Sequence, residues 1–253
     1  MSQPILTLAE ALGRQQPAAL ATVIEVTGAS PAKVGAQIVV LGDGTTAGTA
    51  GGGSLESAIL ADARAVLAQG QPRVTHYALA QSGPDAIGTL CGGEVRVLIQ
   101  PYFPPPKLVI VGGGHIGQPL QVMGTAAGFE VSVMDVEPGR ATVPELETGG
   151  FTDDTYIVLI TTDHVSDDAA LRQAVASPAR YIGMIGSRAK CQTLLEHIRA
   201  AGHSEASLAL VYAPIGLDLG GTTPQEIAVA ILAEIIAVRR GGSGARRSRP
   251  PSV

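Results

Sequence analysis

Hydrophobic positions along this chain follow two rhythms, and the change between them falls near residue 104. Residues 4–14 place apolar positions at helical spacing, and AALATVIEV (18–26) is a β-rich apolar run ending in the turn cluster TGASPAKVGA. A second strand, QIVVLG (37–42), leads into a stretch from Asp43 to Gly53 dominated by glycine and threonine. That stretch opens onto SLESAILADARAVLAQG, a helical pattern for which Ser54 is the expected N-cap, with Ser57 three positions later and Gly70 as its terminus. RVTHYAL (73–79) and EVRVLIQPY (94–102) read as two further strands, joined by the glycine-rich connector SGPDAIGTLCGG. The pattern predicts a small α+β domain over 1–103.

Pro104 to Pro106 can neither donate ladder hydrogen bonds nor continue a helix, which makes them the best linker in the chain. Beyond them, short apolar strands alternate with helices: KLVIVG (107–112), a helix over 116–127, FEVSVMD (129–135), YIVLITT (156–162), ARYIGMIG (179–186), a helix over 188–201 and a last helix over 224–240. Strand and helix taking turns predicts βαβ units, hence a Rossmann-like, doubly wound parallel sheet over 104–240. GGSGARRSRPPSV (241–253) has almost no apolar content and reads as a disordered tail.

The sharpest chemical signal lies between the first of these strands and its helix. Val111-Gly112-Gly113-Gly114-His115-Ile116-Gly117 carries the GxGxxG spacing in the strand-to-helix context that gives it meaning. Gly112 suits a tight turn, Gly114 a close approach of backbone to phosphate, and Gly117 close packing of helix on strand. Free N–H groups at the helix start attract a pyrophosphate without any basic side chain. Asp135 ends the next strand, 21 residues after Gly114, where its carboxylate can accept from a ribose diol, which favours NAD over NADP. A packing turn that binds nothing is the plain alternative.

Composition narrows the partners more than the fold. The 253 residues are 45% hydrophobic and 15% charged, without Trp, as in α/β proteins whose interiors are packed by Ala, Val, Ile and Leu. The net charge of -5 comes without an acidic or basic block in the folded region, so neither nucleic acid nor an anionic membrane is an expected partner. No leader pattern and no apolar run of about 18 residues is present, which predicts a cytoplasmic protein. Cys91 and Cys191 lie 100 residues apart without CxxC or paired His, which argues against a zinc module and for reduced thiols.

The motifs, taken in order, resemble the XdhC/CoxI family, accessory proteins of xanthine dehydrogenase and related molybdenum hydroxylases. They are GASPAKVGAQ (28–37), GTAGGGSLE (48–56), GTLCGGEVRVLIQP (88–101), LVIVGGGHIGQPL (108–120), YIGMIGSRAK (181–190) and APIGLDLGGTTPQEIAVAILAEIIAVRRG (213–241). The resemblance implies a chaperone, without turnover of its own, that binds molybdenum cofactor (molybdopterin or its cytosine dinucleotide form). It would protect the cofactor during exchange of an oxo ligand for sulfur and deliver it to the apo-enzyme. A cysteine desulfurase and a second copy of the chain are implied partners; AVAILAEIIAV (228–238) offers an apolar helix face for a symmetric dimer or for the monomer's own core. Two positions depart from the family pattern: Ser54 stands where a cysteine is frequent, and Thr161-Thr162 where a Thr-His pair is usual.

Several site residues follow from this likeness. Gly51, Gly52, Gly53 and Ser54 form a second run of unhindered amides at a helix start, and Glu56 is placed either to receive pterin N–H donors or to compensate the helix dipole. Cys91 is the candidate soft ligand for molybdenum or carrier of sulfur. Gly186, Ser187 and Arg188, with Lys190, sit where a basic side chain meets a phosphate. Gly216 and Asp218 belong to a loop before Thr223, Pro224 and Glu226, the expected cap, first position and first turn of the last helix; that loop is expected to close over a ligand in a cleft shared by the domains. An NAD-dependent oxidoreductase and a nucleotide-sensing module are the competing readings.

Overall fold

The computed structural model describes residues 2–246 apart from 83–84, 89–91, 138, 144–149 and 162–163, with main chain only at 164–167. The chain divides into two compact units, residues 1–104 and 105–253. The first contains α1 (Gln3–Gly13), β1 (Ala18–Thr27), β2 (Gln37–Leu41), β3 (Thr46–Gly48), α2 (Gly53–Gln69), β4 (Arg73–Ala78) and β5 (Glu94–Tyr102). Its strands form one antiparallel sheet in the order β3-β2-β1-β5-β4.

Both faces of this sheet are covered near β1 and β2, which is why their sequences lack a polar alternation. Ala18 and Leu20, with Val39 and Leu41, pack under Leu8 and Ala11 of α1. Ala19, Ala21 and Val23, with Ile38 and Val40, face Leu55, Ile59, Ala63 and Val66, a stripe at helical spacing on α2. The short strand β3, inside the glycine and threonine stretch, pairs Thr46 to Gly48 with Val40 to Ile38 and had no periodicity to announce it.

The second unit contains β6 (Lys107–Val111), α3 (Gly117–Ala126), β7 (Glu130–Met134), β8 (Thr155–Leu159), α4 (His164–Val175), β9 (Tyr181–Met184), α5 (Arg188–Ala200), α6 (Glu205–Leu208), β10 (Val211–Tyr212) and α7 (Pro224–Arg240). Its five strands are parallel in the order β10-β9-β8-β6-β7. Val109, Val111, Ile157 and Leu159 point to the face covered by α4 and α5, and Leu108, Ile110, Tyr156 and Val158 to the face covered by α3 and α7. The expected Rossmann-like, doubly wound α/β fold is therefore present. From β6 the chain crosses to β7 on one side and later to β8 on the other, so the loops after β6 and β8 part at the carboxyl edge of the sheet.

The apolar stripe of α7 is used inside this unit: Ala228, Ile231, Leu232 and Ile235 are buried against the sheet. Under it lies a row of rings, Phe129, Tyr156, Tyr181 and Tyr212, with centroids 4.6–6.4 Å apart. The Tyr181 hydroxyl donates to Glu234 at 2.5 Å, and the same carboxylate oxygen accepts the Gly216 N–H at 3.1 Å. Burial first, then the Glu234 carboxylate, push the Tyr181 phenol far above its ordinary pKa, so it remains a donor at every working pH. Glu234 thereby fastens the 213–217 segment to α7. Replacing it (Glu234→Ala) strands a buried hydroxyl and an amide and should destabilise the protein by about 2 kcal/mol, read from urea unfolding at constant m-value.

Candidate functional site

At the end of β6 the chain turns at Gly112, whose φ of +115° and whose contact with the Ile160 carbonyl leave no room for a side chain. A Cβ on Gly113 would meet Arg140 and Val133 within about 3 Å, and one on Gly117 would run into the Gly112 carbonyl. These three glycines are explained by packing and dihedral angle alone. Gly114 is different. Its φ lies outside the left-handed region, and no described residue comes within 4 Å of a Cβ built on it. Among the described residues nothing requires glycine at 114, and the open face beside it is what close approach of a ligand to the backbone needs.

The amides of this turn are also open. Gly112 N–H goes to the Met134 carbonyl and Gly113 N–H to Asp135, and Gln118 is the next to find an acceptor, the Gly114 carbonyl. Among the described residues, the N–H groups of Gly114, His115, Ile116 and Gly117 have no acceptor, and α3 has no side-chain cap. Four main-chain donors thus converge on the helix start, the arrangement that holds a phosphate. His115 itself is exposed.

Beside this turn is a crevice of about 220 Å³, lined by the ends of β6 (Val111) and β7 (Met134) and by the loops that follow β6, β7 and β8. Of the residues singled out from the sequence, Gly112, Gly114 and Asp135 line it; His115, Gly117, Gly186, Ser187, Arg188, Gly216 and Asp218 do not. Asp135 is fixed from both sides: Oδ2 accepts Gly113 N–H at 2.6 Å and Oδ1 accepts Glu137 N–H at 2.8 Å. Val136, Glu137, Arg140, Ile160 and Thr161 complete the lining. Thr161 is marked in the sequence only as half of the Thr161-Thr162 pair, and the others carry no signal but their position just after β7 or β8.

The second glycine run behaves otherwise. Gly51, Gly52 and Gly53 have φ of +126°, +73° and +60°, and α2 starts at Gly53 with Gly52 as cap. Ser54 is inside the first turn, exposed and not the N-cap, because the capping is done from within the helix. Glu56 reaches back so that one carboxylate oxygen accepts the Thr49 hydroxyl at 2.6 Å, Ala50 N–H at 3.1 Å and Gly52 N–H at 3.2 Å. The Thr49 hydroxyl foremost, then the two amides, hold the Glu56 carboxyl below the usual carboxylate range against a desolvation that opposes them. An internal anion already neutralises this loop, which supports the dipole-compensating role of Glu56.

The remaining candidates sit in structural roles. Ser187 caps α5 by accepting Lys190 N–H, and Arg188 lines a separate groove with Cys191, Gln192 and Arg199. Gly216, at φ +99°, packs on Ala230 of α7, and Asp218 is exposed. The expected cap of α7 is present in full: Thr223 Oγ1 accepts Glu226 N–H while Glu226 accepts the N–H groups of Thr222 and Thr223. Cys91, Thr162 and Asp163 lie outside the described residues, as does the side chain of His164. Among the described residues no group of three His, Cys, Asp or Glu side chains is placed to hold a metal ion, and no helix is long and apolar enough to cross a membrane.

A doubly wound parallel sheet with an open glycine turn and a fixed acid beside it defines a Rossmann-like domain with a crevice at the carboxyl edge of its sheet. Residues 108–235 match the XdhC Rossmann domain and residues 11–78 the XdhC and CoxI family, so the chain belongs to that family. It is 31% identical to Uncharacterized protein YqeB of Escherichia coli (strain K12), over 97% of this chain and 48% of that protein. To a probable xanthine dehydrogenase subunit of Bacillus subtilis (strain 168) it is 29% identical, over 57% of this chain and 46% of that one. The chain therefore spans about half the length of these two relatives. It is 22% identical to Molybdenum cofactor insertion chaperone PaoD of Escherichia coli (strain K12), over 91% of this chain and 86% of that one. A solved structure described as a xanthine dehydrogenase from Bacillus halodurans aligns over 99% of this chain and 98% of its own, with a TM-score of 0.48 and 21% identity.

The two glycine classes in the β6–α3 turn separate by mutation. Gly117→Ala, which drives a methyl into the Gly112 carbonyl, should cost about 2–3 kcal/mol, whereas Gly114→Ala should leave stability within about 0.5 kcal/mol; chemical denaturation distinguishes them. The Glu56 latch carries a pH signature. Because its folded pKa is depressed, its stabilisation is fully present above the unfolded value near 4.5 and is lost as pH falls through the folded one. The stability difference between wild type and Glu56→Gln should hold steady from about pH 8 to pH 5.5 and shrink below about pH 4.5, and a difference that grows on acidification contradicts the latch.

Proposed function

We propose that this chain is an accessory protein for a molybdenum hydroxylase of the xanthine dehydrogenase type. In this reading it holds molybdenum cofactor, supports the exchange of an oxo ligand for sulfur with a cysteine desulfurase, and hands the cofactor to the apo-enzyme in the cytoplasm, without turnover of its own. Membership of the XdhC and CoxI family supports the role, as does likeness to proteins named for xanthine dehydrogenase and for molybdenum cofactor insertion. The observation that carries the reading is Gly114: an open, sterically unforced glycine among four amides without acceptors.

Among the described residues, the open turn fits the phosphate part of the group. Amides 114–117 suit the phosphate of a pterin cofactor, and Cys91 is the thiol this reading assigns to molybdenum or to sulfur. When bound, the cofactor supplies the molybdenum centre whose ligand is exchanged, while the chain supplies the phosphate grip and shelter from water. A second reading, an NAD-dependent oxidoreductase, draws on Asp135 in the same crevice. NADH fluorescence and a substrate panel test it, and silence in both counts against it.

Wild type, Gly114→Ala and Cys91→Ala should be purified from a molybdate-supplied host and assayed for bound pterin and molybdenum. Wild type should retain the cofactor and slow its oxidation, with about tenfold less pterin retained by Gly114→Ala. Equal retention by Gly114→Ala, or none by wild type, contradicts the proposal.

A further inference from the structure

A second groove, of about 380 Å³, runs beside α5 and shares no lining residue with the crevice at the glycine turn. Arg188, Gln192, Leu195 and Arg199 follow one another on that helix at i, i+4, i+7 and i+11. They form one stripe about 16 Å long, enough for about five residues of extended chain. Leu195 and Cys191 make the apolar part of the lining on the helix, and Ala213 and Pro214 face them from the segment before α7. That segment is fixed just beyond Pro214: Ile215 N–H donates to the Met184 carbonyl at 3.0 Å, Gly216 N–H to Glu234 at 3.1 Å and Leu217 N–H to the Ala230 carbonyl at 3.2 Å. The groove is therefore preformed, and a partner need not order it.

The charges along the groove are unevenly placed. Arg199 is spent on Glu205, at 2.6 and 3.2 Å, and Gln192 holds Glu196 at 3.1 Å. Among the described residues Arg188 has no acidic partner, and it opens α5, where the helix dipole adds positive potential. Helix α5 carries three Lys or Arg side chains against one Glu, in a chain whose net charge is -5. From this pattern we infer that the groove docks an acidic, extended segment of another protein, with a carboxylate on Arg188 and an apolar side chain on Leu195 and Pro214. A bare phosphate would leave the apolar lining unused and meet the Glu196 carboxylate beside it. A second copy of the chain offers no acidic block from its folded region to lay along the stripe. The inference goes beyond the cofactor role and does not depend on it, since the groove uses neither the 112–117 turn nor Asp135. Arg188, which the sequence places at a phosphate, becomes a contact to protein.

Fluorescence anisotropy with the full chain tests this, using a labelled peptide in which glutamates precede leucines, a version with lysine for glutamate and a version with serine for leucine. The first peptide should bind about tenfold or more tightly than either version, and added salt should weaken it. Arg188→Glu, a change at an exposed position, should weaken it about tenfold, and Leu195→Ala about fivefold. Arg14→Glu, at an exposed arginine of the first unit, should bind like wild type. Equal binding by Arg188→Glu and wild type overturns the site, as does an equal loss in Arg188→Glu and Arg14→Glu. Inorganic phosphate that displaces the peptide at matched ionic strength assigns the groove to a small anion, and a dimer in sedimentation that Arg188→Glu dissociates assigns it to a second copy. Either result overturns the docking of another protein, and so does binding of no probe at all.

Discussion

Main-chain amides taken out of water must find an acceptor, and the two glycine-rich turns of this chain meet that demand in opposite ways. In the first unit Glu56 folds back over the 49–53 loop and takes the donors for itself. In the second, Asp135 takes only Gly113 of the turn's amides, and among the described residues those from 114 to 117 have no acceptor. A sequence scan sees GTAGGGSLE and VGGGHIG as variants of one device. The carboxylate three residues into α2 makes the first a closed turn, and its lack in α3, where the first turn offers Gln118 and Pro119, leaves the second open.

The sheet beneath makes that open turn possible. β6 is central, bonded to β7 on one side and β8 on the other, so its terminal residues are buried on all sides and the turn cannot relax outward. Gly112 is pressed against Ile160 at the end of β8, and Gly117 lies against Gly112 across the turn. Those contacts hold α3 close to the strand with its amino end at the edge of the crevice. The same tightness recurs under α7, where Glu234 ties Tyr181 to Gly216. Of the two helices on that face, α3 is thus positioned by main-chain contacts that admit no side chain and α7 by a part-buried carboxylate.

Much of this was legible in the residues. The strands β1, β2, β6 and β8 are apolar because they are central or doubly covered, and α7 announces itself through a capping box and a proline at its first position. The elements missed are those whose sequence carries little periodicity. Among the described side chains of helix α4, HVSDDAALRQAV, the pairs Ala170-Leu171 and Ala174-Val175 are buried, and the polar residues around them in the sequence hide that stripe. β3 and β10 are three and two residues long and exist only through their partners. Ser54 looked like a cap because serine before a helical pattern usually is one; Glu56, two residues on in the same first turn, takes the loop amides instead. Val136 and Arg140 were invisible for a different reason, since only the turn after β7 brings them to the crevice that Gly114 borders.

Preorganisation connects the fold to what the crevice can hold. A carboxylate free to rotate loses conformational entropy when a ligand fixes it, and a turn with mobile amides does the same. Here Asp135 is pinned by two amides, one of which belongs to the glycine turn, so acid and amide donors form a single rigid unit. A ligand that presents negative charge to the turn and hydroxyl donors to the acid meets both at once, at little cost in ordering. A purely anionic ligand gains only from the turn and is repelled by the acid beside it. The coupling of Gly113 to Asp135 therefore holds the acid and the turn as one element, so that neither has to be ordered separately.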